Sequence, residues 1–176
     1  MAQFRIGLIV NDSKEGAAEL ARDIDLAFQR QGFQPMLDER TAELVGADTA
    51  STYAALSREC DLLVVLGGDG TILQAVHELE QQTPPMFGIN LGSLGFLTTV
   101  SAGQWSDAVD AIVERKYILS QRTLLAVEVC HDGQNEEPRI ALNDAVISRG
   151  ELSRLIRLDV KIDGRSEERR VGKECA

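Results

Sequence analysis

The chain is 176 residues long, 44% hydrophobic and 26% charged, with a formal net charge of −10. That balance allows a sizeable core in one ordinary domain, or in one domain plus part of a second, and it excludes general disorder. It also excludes an overall cationic surface for a nucleic-acid backbone or an anionic membrane, so any phosphate has to be bound locally, by backbone N–H groups, single basic side chains or a metal.

The N-terminus, Met1 to Val10, holds an apolar run too short for a signal peptide or a membrane span. Phe4 to Val10 reads as a buried strand, and Asn11-Asp12-Ser13 after it reads as a helix-capping cluster. Ala17, Leu20, Ile24, Ala27 and Phe28 recur at helical spacing along residues 16–31, and Gly32 stands where a left-handed C-terminal cap belongs. A short strand is expected over Gln34 to Leu37, then a polar, Ala-rich region from Asp38 to Glu59 that reads as loop with some helix. Cys60, Cys130 and Cys175 show no paired spacing, which argues against a disulfide framework and a zinc site and fits a reducing cytoplasm.

Leu62-Leu63-Val64-Val65-Leu66 is continuous rather than alternating, the pattern of a strand covered on both faces in a parallel sheet. Ile72, Ala75, Val76 and Leu79 take up a helical period directly after Gly70, and Met86 to Ile89 reads as another short buried strand ending at Asn90. Alternating strands and helices predict a doubly wound α/β domain, with a mostly parallel sheet, over residues 1–100. From Ser101 the pattern changes. Trp105 to Val113 is helical, and Thr123 to Val129, Arg139 to Ile147 and Leu155 to Ile162 are strand-like with no clear helices between them. They predict an incomplete, mainly antiparallel β domain over residues 101–164, with a hairpin at His131 to Asn135 and a turn at Asp163-Gly164 whose returning strand is missing. Residues 165–176 are polar, without strand or helix period; they resemble the in-frame translation of a DNA-sequencing adaptor and are expected to be an artefactual tail.

Three segments carry chemistry. Gly67-Gly68-Asp69-Gly70-Thr71 stands between a buried strand and a helix, where an α/β sheet presents backbone N–H groups to an anion, and glycine lets the backbone approach phosphate oxygens. A carboxylate there would repel a bare phosphate, so Asp69 needs a chemical reason to stand in the turn. It could organise a divalent cation, accept a proton from an attacking hydroxyl, or bind a ribose hydroxyl. A tight turn with Asp69 as a helix cap explains the same residues. The dinucleotide fingerprint of dehydrogenases fails, because its third glycine position is Leu73. Gly88-Ile89-Asn90-Leu91-Gly92-Ser93-Leu94-Gly95-Phe96-Leu97-Thr98 interleaves glycines with apolar residues, as a loop that approaches a ligand or another loop would, or as a structural glycine loop. Asn143-Asp144 interrupts the apolar run Ile140 to Ile147, which fits a polar pair with a ligand to hold or a bulge between strands.

Together these segments resemble the NAD kinase family, in which the Gly-Gly-Asp-Gly turn is shared with diacylglycerol and sphingoid lipid kinases and with phosphofructokinases. The 88–98 loop and Ala141-Leu142-Asn143-Asp144 are similar to the NAD kinase motifs more specifically. The resemblance implies phosphoryl transfer from ATP, or in some members polyphosphate, to the 2′-hydroxyl of the adenosine ribose of NAD, giving NADP. It implies Asp69 as the catalytic residue, Gly67, Gly68, Gly70 and the 92–95 loop as backbone donors, and Asn143, Asp144 and Arg154 as NAD contacts. It further implies a divalent cation such as Mg2+, with no protein metal ligands assigned, and a homo-oligomer when full length. The family continues past Asp163-Gly164 into a Gly-Ser-Thr-Ala-Tyr segment that this chain lacks, so the 176-residue polypeptide is expected to have little or no kinase activity. The competing expectations are a lipid kinase and a non-catalytic nucleotide-binding module.

Overall fold

A computed structural model describes residues 4–79, 82–93, 95–147 and 159–166. Its centre is a parallel sheet. β1 (Ile6–Val10) pairs along its whole length with β3 (Leu62–Leu66), and every residue of both strands is buried. β2 (Met36–Leu37), β4 (Met86–Asn90) and β5 (Val100–Ser101) complete the order β2-β1-β3-β4-β5, all neighbours parallel.

The continuous apolar runs are explained by what covers them. Leu8, Val10, Val64 and Leu66 face α1 (Ala17–Arg30) and α5 (Trp105–Val113), packing with Ile24, Phe28 and Ile112. Ile9 and Leu63 face α3 (Tyr53–Glu59) and α4 (Asp69–Glu78), packing with Leu56 and Ala75. Helices on both faces leave no polar side, so strict alternation is lost. Each fully buried Leu, Ile or Phe here contributes roughly 1.5–3 kcal/mol relative to an exposed one. The expected doubly wound α/β architecture is the one observed.

Several local expectations are corrected. α1 starts at Ala17 behind a left-handed Gly16, so Asn11-Asp12-Ser13 does not cap it. Asn11 instead closes a turn on itself, its Oδ1 accepting from the Ser13 N–H at 3.1 Å and from the Ser13 hydroxyl at 2.6 Å. The same short polar chemistry serves caps and such turns, and local sequence does not separate them. The region 38–59 is mostly helical, with α2 (Glu39–Val45) ending at a left-handed Gly46 and α3 starting behind Thr52, whose hydroxyl accepts from the Ala55 N–H. The helix at 105–113 shares the core of the parallel sheet.

Beyond Tyr117 the strands are short: β6 (Leu125–Val127), β7 (Cys130–His131), β8 (Gln134–Asn135) and β9 (Arg139–Ala141). β6 pairs antiparallel with β9, and β7 with β8 across Asp132-Gly133, both at positive φ as a tight hairpin requires. β9 stops at Ala141, so Asn143-Asp144 lies after the strand and not within it. The chain divides into two compact units, residues 1–144 and 145–176. In the second, β10 (Lys161–Ile162) pairs with β11 (Arg165–Ser166) across Asp163-Gly164. The returning strand expected to be missing is therefore present as a two-residue strand at the start of the tail. The expected strand at residues 155–158, Arg154 and residues 167–176 lie outside the described residues.

Candidate functional site

The Gly-rich turn sits at the carboxyl end of β3, beside the carboxyl end of β1, where the strand order reverses between β1 and β3. Open α/β sheets bind ligands at such switch points. The Gly67 N–H donates to the Ile89 carbonyl at 2.9 Å, fastening the turn to β4, so Gly67 contributes close approach and not a free donor. A Cβ on Gly67 would stand 2.2 Å from Thr71 Oγ1, which is why no larger residue fits. Thr71 Oγ1 accepts in turn from Asn11 Nδ2 at 3.1 Å, linking the ends of β1 and β3.

α4 begins at Asp69 with Gly68 as its N-cap. The amides of Gly68, Asp69 and Gly70 have no partner within the helix, and the helix dipole puts partial positive charge there. Apart from the adjoining backbone, no described atom lies within 4 Å of where a Cβ would stand on Gly68 or Gly70. The glycines thus leave the side-chain positions beside these N–H groups open, which lets a phosphate approach the backbone closely.

Asp69 is half-buried, and its carboxylate is bound by backbone. Oδ2 accepts from the Phe96 N–H at 2.8 Å; Oδ1 accepts from Leu97 at 3.0 Å and from Thr98 at 3.2 Å. Chiefly the Phe96 hydrogen bond, opposed by some desolvation and aided by the Leu97 and Thr98 bonds, holds this carboxyl below the usual carboxylate range. A Cβ on Gly95 would come within 2.3 Å of the Asp69 carboxylate, so the approach depends on glycine.

The loop that supplies these donors is itself braced from below. Asn90, buried at the end of β4, accepts on Oδ1 from the Gly92 N–H at 2.7 Å. Its Nδ2 donates to the Ser93 carbonyl at 2.6 Å and to Thr98 Oγ1 at 3.0 Å. Thr98, also buried, accepts on the same oxygen from the Gly95 N–H at 3.1 Å. Among the described residues no buried side-chain polar atom lacks a partner, and a fully satisfied network of this kind defines one conformation.

The structure therefore joins two of the three motif segments directly. Asn143 and Asp144, in the third, are exposed, directly after β9, which lies beside α4. Sequence reasoning misses Asn11, Asn90 and Thr98 in their bracing roles. The available signal is a polar residue at the end of an otherwise apolar strand, as at Asn11 and Asn90.

On the Asn11 side of the turn lies a cavity of about 540 Å³, walled by the ends of β1 and β2, the start of α3 and one side of α4. At its edge the Thr41 hydroxyl donates to the buried Asp38 carboxylate, and the Val10 N–H donates to Thr41 Oγ1 at 3.0 Å. Burial raises the Asp38 carboxyl above its ordinary value despite the Thr41 bonds. Desolvation, with the charges of Asp38 and Glu78, pushes the Tyr53 phenol up to about 12, so it stays neutral.

Comparison with known proteins gives a consistent result. The family model described as the ATP-NAD kinase N-terminal domain matches residues 6–117. A NAD kinase of Chlorobium luteolum is 37% identical over 162 residues, covering 92% of this chain and 55% of that protein. A NAD kinase of an Azoarcus species is 35% identical over 167 residues, covering 93% and 57%. A crystal structure of yeast NADH kinase complexed with NADH is similar in fold, with a TM-score of 0.80 at 23% identity over 94% of this chain and 54% of that one. The chain spans about half the length of the relatives it matches.

Proposed function

We propose, from the premise that this chain belongs to the NAD kinase family, that the whole protein transfers the terminal phosphoryl group of ATP to the 2′-hydroxyl of the adenosine ribose of NAD. The single observation that carries this reading is the bond set between Asp69 and the amides of residues 96–98. It ties the turn common to several kinase families to the loop that resembles NAD kinases in particular, which disfavours the lipid-kinase alternative.

In this reading the amides of Gly68 and Gly70 hold the transferring phosphoryl group at the N-terminus of α4. Phosphoryl transfer asks mainly for positioning and charge stabilisation, and preorganised backbone donors supply both. A carboxylate offers about four acceptor sites, and three are filled by amides, leaving one on Oδ2 of Asp69 for the acceptor hydroxyl. Lowered basicity makes Asp69 a weak base toward a ground-state hydroxyl. Its work is to orient that hydroxyl and to receive its proton late, once bonding to phosphorus has made the proton acidic. Asn143, Asp144 and Arg154 hold NAD, and the strands beyond Tyr117 open a β-rich NAD-binding domain.

A divalent cation such as Mg2+ would accompany the phosphates. The described residues contain no group of three or more His, Cys, Asp or Glu able to hold a metal, and Asp69 is already engaged by amides. The full-length protein is proposed to be a cytoplasmic homo-oligomer. Free Cys60 and Cys130 agree with a reducing compartment, and among the described residues no helix is long and apolar enough to cross a membrane.

The test is an acceptor comparison on the full-length protein with ATP and Mg2+: NAD against diacylglycerol and sphingosine. Phosphorylation of NAD at the 2′-hydroxyl, with the lipids inert, is expected. Preferential lipid phosphorylation would overturn the reading.

A further inference from the structure

Thr98 differs from its neighbours in the loop by what it bonds. Phe96 and Leu97 reach Asp69 through their backbone amides; Thr98 does the same and also engages the loop through its hydroxyl. We infer that Thr98 is a positioning residue of the proposed phosphoryl transfer: its hydroxyl curls residues 95–98 so that three successive amides meet the Asp69 carboxylate and fix the direction of its open Oδ2 site toward the acceptor. The inference rests on the kinase reading and deepens it by naming a residue that acts through Asp69.

Thr98 is anchored first by the sheet. The Thr99 N–H donates to the Gly88 carbonyl at 2.9 Å, and a Cβ on Gly88 would stand 3.0 Å from Thr98 Cα, so the residue lies close against β4. From that buried point its hydroxyl meets two donors. The oxygen accepts from the Gly95 N–H at 3.1 Å and from Asn90 Nδ2 at 3.0 Å, which fills both lone pairs of a hydroxyl. The first of these bonds closes residues 95–98 into a tight ring, and successive amides on a backbone so curved converge on one anion. Here the anion is the Asp69 carboxylate.

The amides divide unevenly between the two carboxylate oxygens, and that division carries the catalytic consequence. Leu97 and Thr98 both donate to Oδ1, whereas Phe96 donates to Oδ2. Oδ1 is saturated, so the carboxylate cannot rotate without breaking both of its bonds, and the open site on Oδ2 keeps one direction. Chiefly the Phe96 amide, against some desolvation and with the Leu97 and Thr98 amides, also keeps the carboxyl ionised, and no charged side chain is among the causes. A catalytic group misplaced by about 1 Å can lose about 100-fold in rate, so a hydroxyl that fixes this direction acts on turnover without touching substrate.

The experiment compares wild type, Thr98→Val and Thr98→Ser in the full-length protein. Valine keeps the branched shape and the backbone N–H but not the acceptor; serine restores the acceptor. Thr98→Val should lower kcat for NAD phosphorylation at least about tenfold, with KM for NAD within about twofold, and Thr98→Ser should recover most of the loss. The 13C resonance of the Asp69 carboxyl should titrate at a higher pH in Thr98→Val than in wild type or Thr98→Ser, because amides that bond the ionised form have left it. A purely structural hydroxyl would lower the melting temperature of Thr98→Val and leave kcat and the titration unchanged, and that result would overturn the inference. If Thr98→Val does not fold, hydrogen exchange in the wild type decides. The Gly95 amide bonds Thr98 and not Asp69, so it should lose protection over the same low-pH range as the 96–98 amides. Protection kept at Gly95 while theirs declines would overturn the coupling. A wild type inert toward NAD would instead overturn the kinase reading, on which the titration and the exchange do not depend.

Discussion

β3 and β9 both lie beside α4, but they are held in different ways. Every residue of β3 is at most 1% exposed, with a strand on either side and helices on both faces. β9 has one short partner, β6, whose Leu125 is 44% exposed, and among the described residues the buried apolar side chains end at Ile112. The Asp69 half of the proposed site is thus fixed by the core and by a closed hydrogen-bond network, whereas Asn143 and Asp144 rest on a strand pair with little buried around it. The difference teaches that one half of the site is preorganised by packing and the other supplies contacts without packing, so mutations in the two halves should separate stability from binding.

The largest effect is expected from Gly95→Ala. The added Cβ would collide with the Asp69 carboxylate, so the 96–98 amides must leave it. In the full-length protein kcat for NAD phosphorylation should fall at least about 100-fold, a loss on the scale of one preorganised catalytic interaction. Hydrogen exchange at residues 96–98 should rise in parallel. Retained turnover with faster exchange would show that the bond set is dispensable.

Asn90→Ala comes next. It removes the acceptor of the Gly92 amide and the donor to Ser93 and Thr98 inside a buried site, and should cost about 2 kcal/mol of stability in urea denaturation. A loss below about 0.5 kcal/mol would mean that the loop is held by something else.

Asn143→Ala should behave oppositely. It is exposed, so the melting temperature should stay within about 1 °C, while NAD affinity of the full-length protein should drop about tenfold, as for the loss of a hydrogen bond in a bound complex. A large fall in melting temperature would place Asn143 in the packed half after all.

The smallest effect concerns pH. The Asp69 carboxyl is lowered in the folded chain from its ordinary value of 3.8, so its bonds to residues 96–98 stabilise the fold above that value. That contribution is lost as pH falls from 3.8 through the lower folded value. The exchange protection of the 96–98 amides should therefore hold from neutral pH down to about 4 and decline only below it. A decline near pH 6, roughly two units above the ordinary carboxylate value, would contradict the lowered carboxyl.

Much of the parallel-sheet half is legible in the sequence, because burial on both faces leaves the continuous run Leu62 to Leu66, and the left-handed Gly32 behind α1 is a local signal. The same is not true of bonds that span the chain. Asp69 meets residues 27 to 29 positions away, and Asn11 meets Thr71 60 positions away. No local period records such partners. Asn11 reads as part of a cap because caps and side-chain turns use identical groups, and Asn143 reads as strand because the apolar run around it resumes at Ala145 to Ile147, although β9 stops at Ala141.

In the proposed site Asp69 orients the acceptor hydroxyl while its other acceptor sites hold the loop. The most direct measurement is NAD phosphorylation by the full-length protein with Asp69 and with Asp69→Asn, alongside NAD affinity by equilibrium titration. The account predicts a fall in kcat of at least about 100-fold, the usual scale for losing a positioned acid–base group, with NAD affinity changed by less than about fivefold. An Asp69→Asn protein that turns over at the wild-type rate would contradict it.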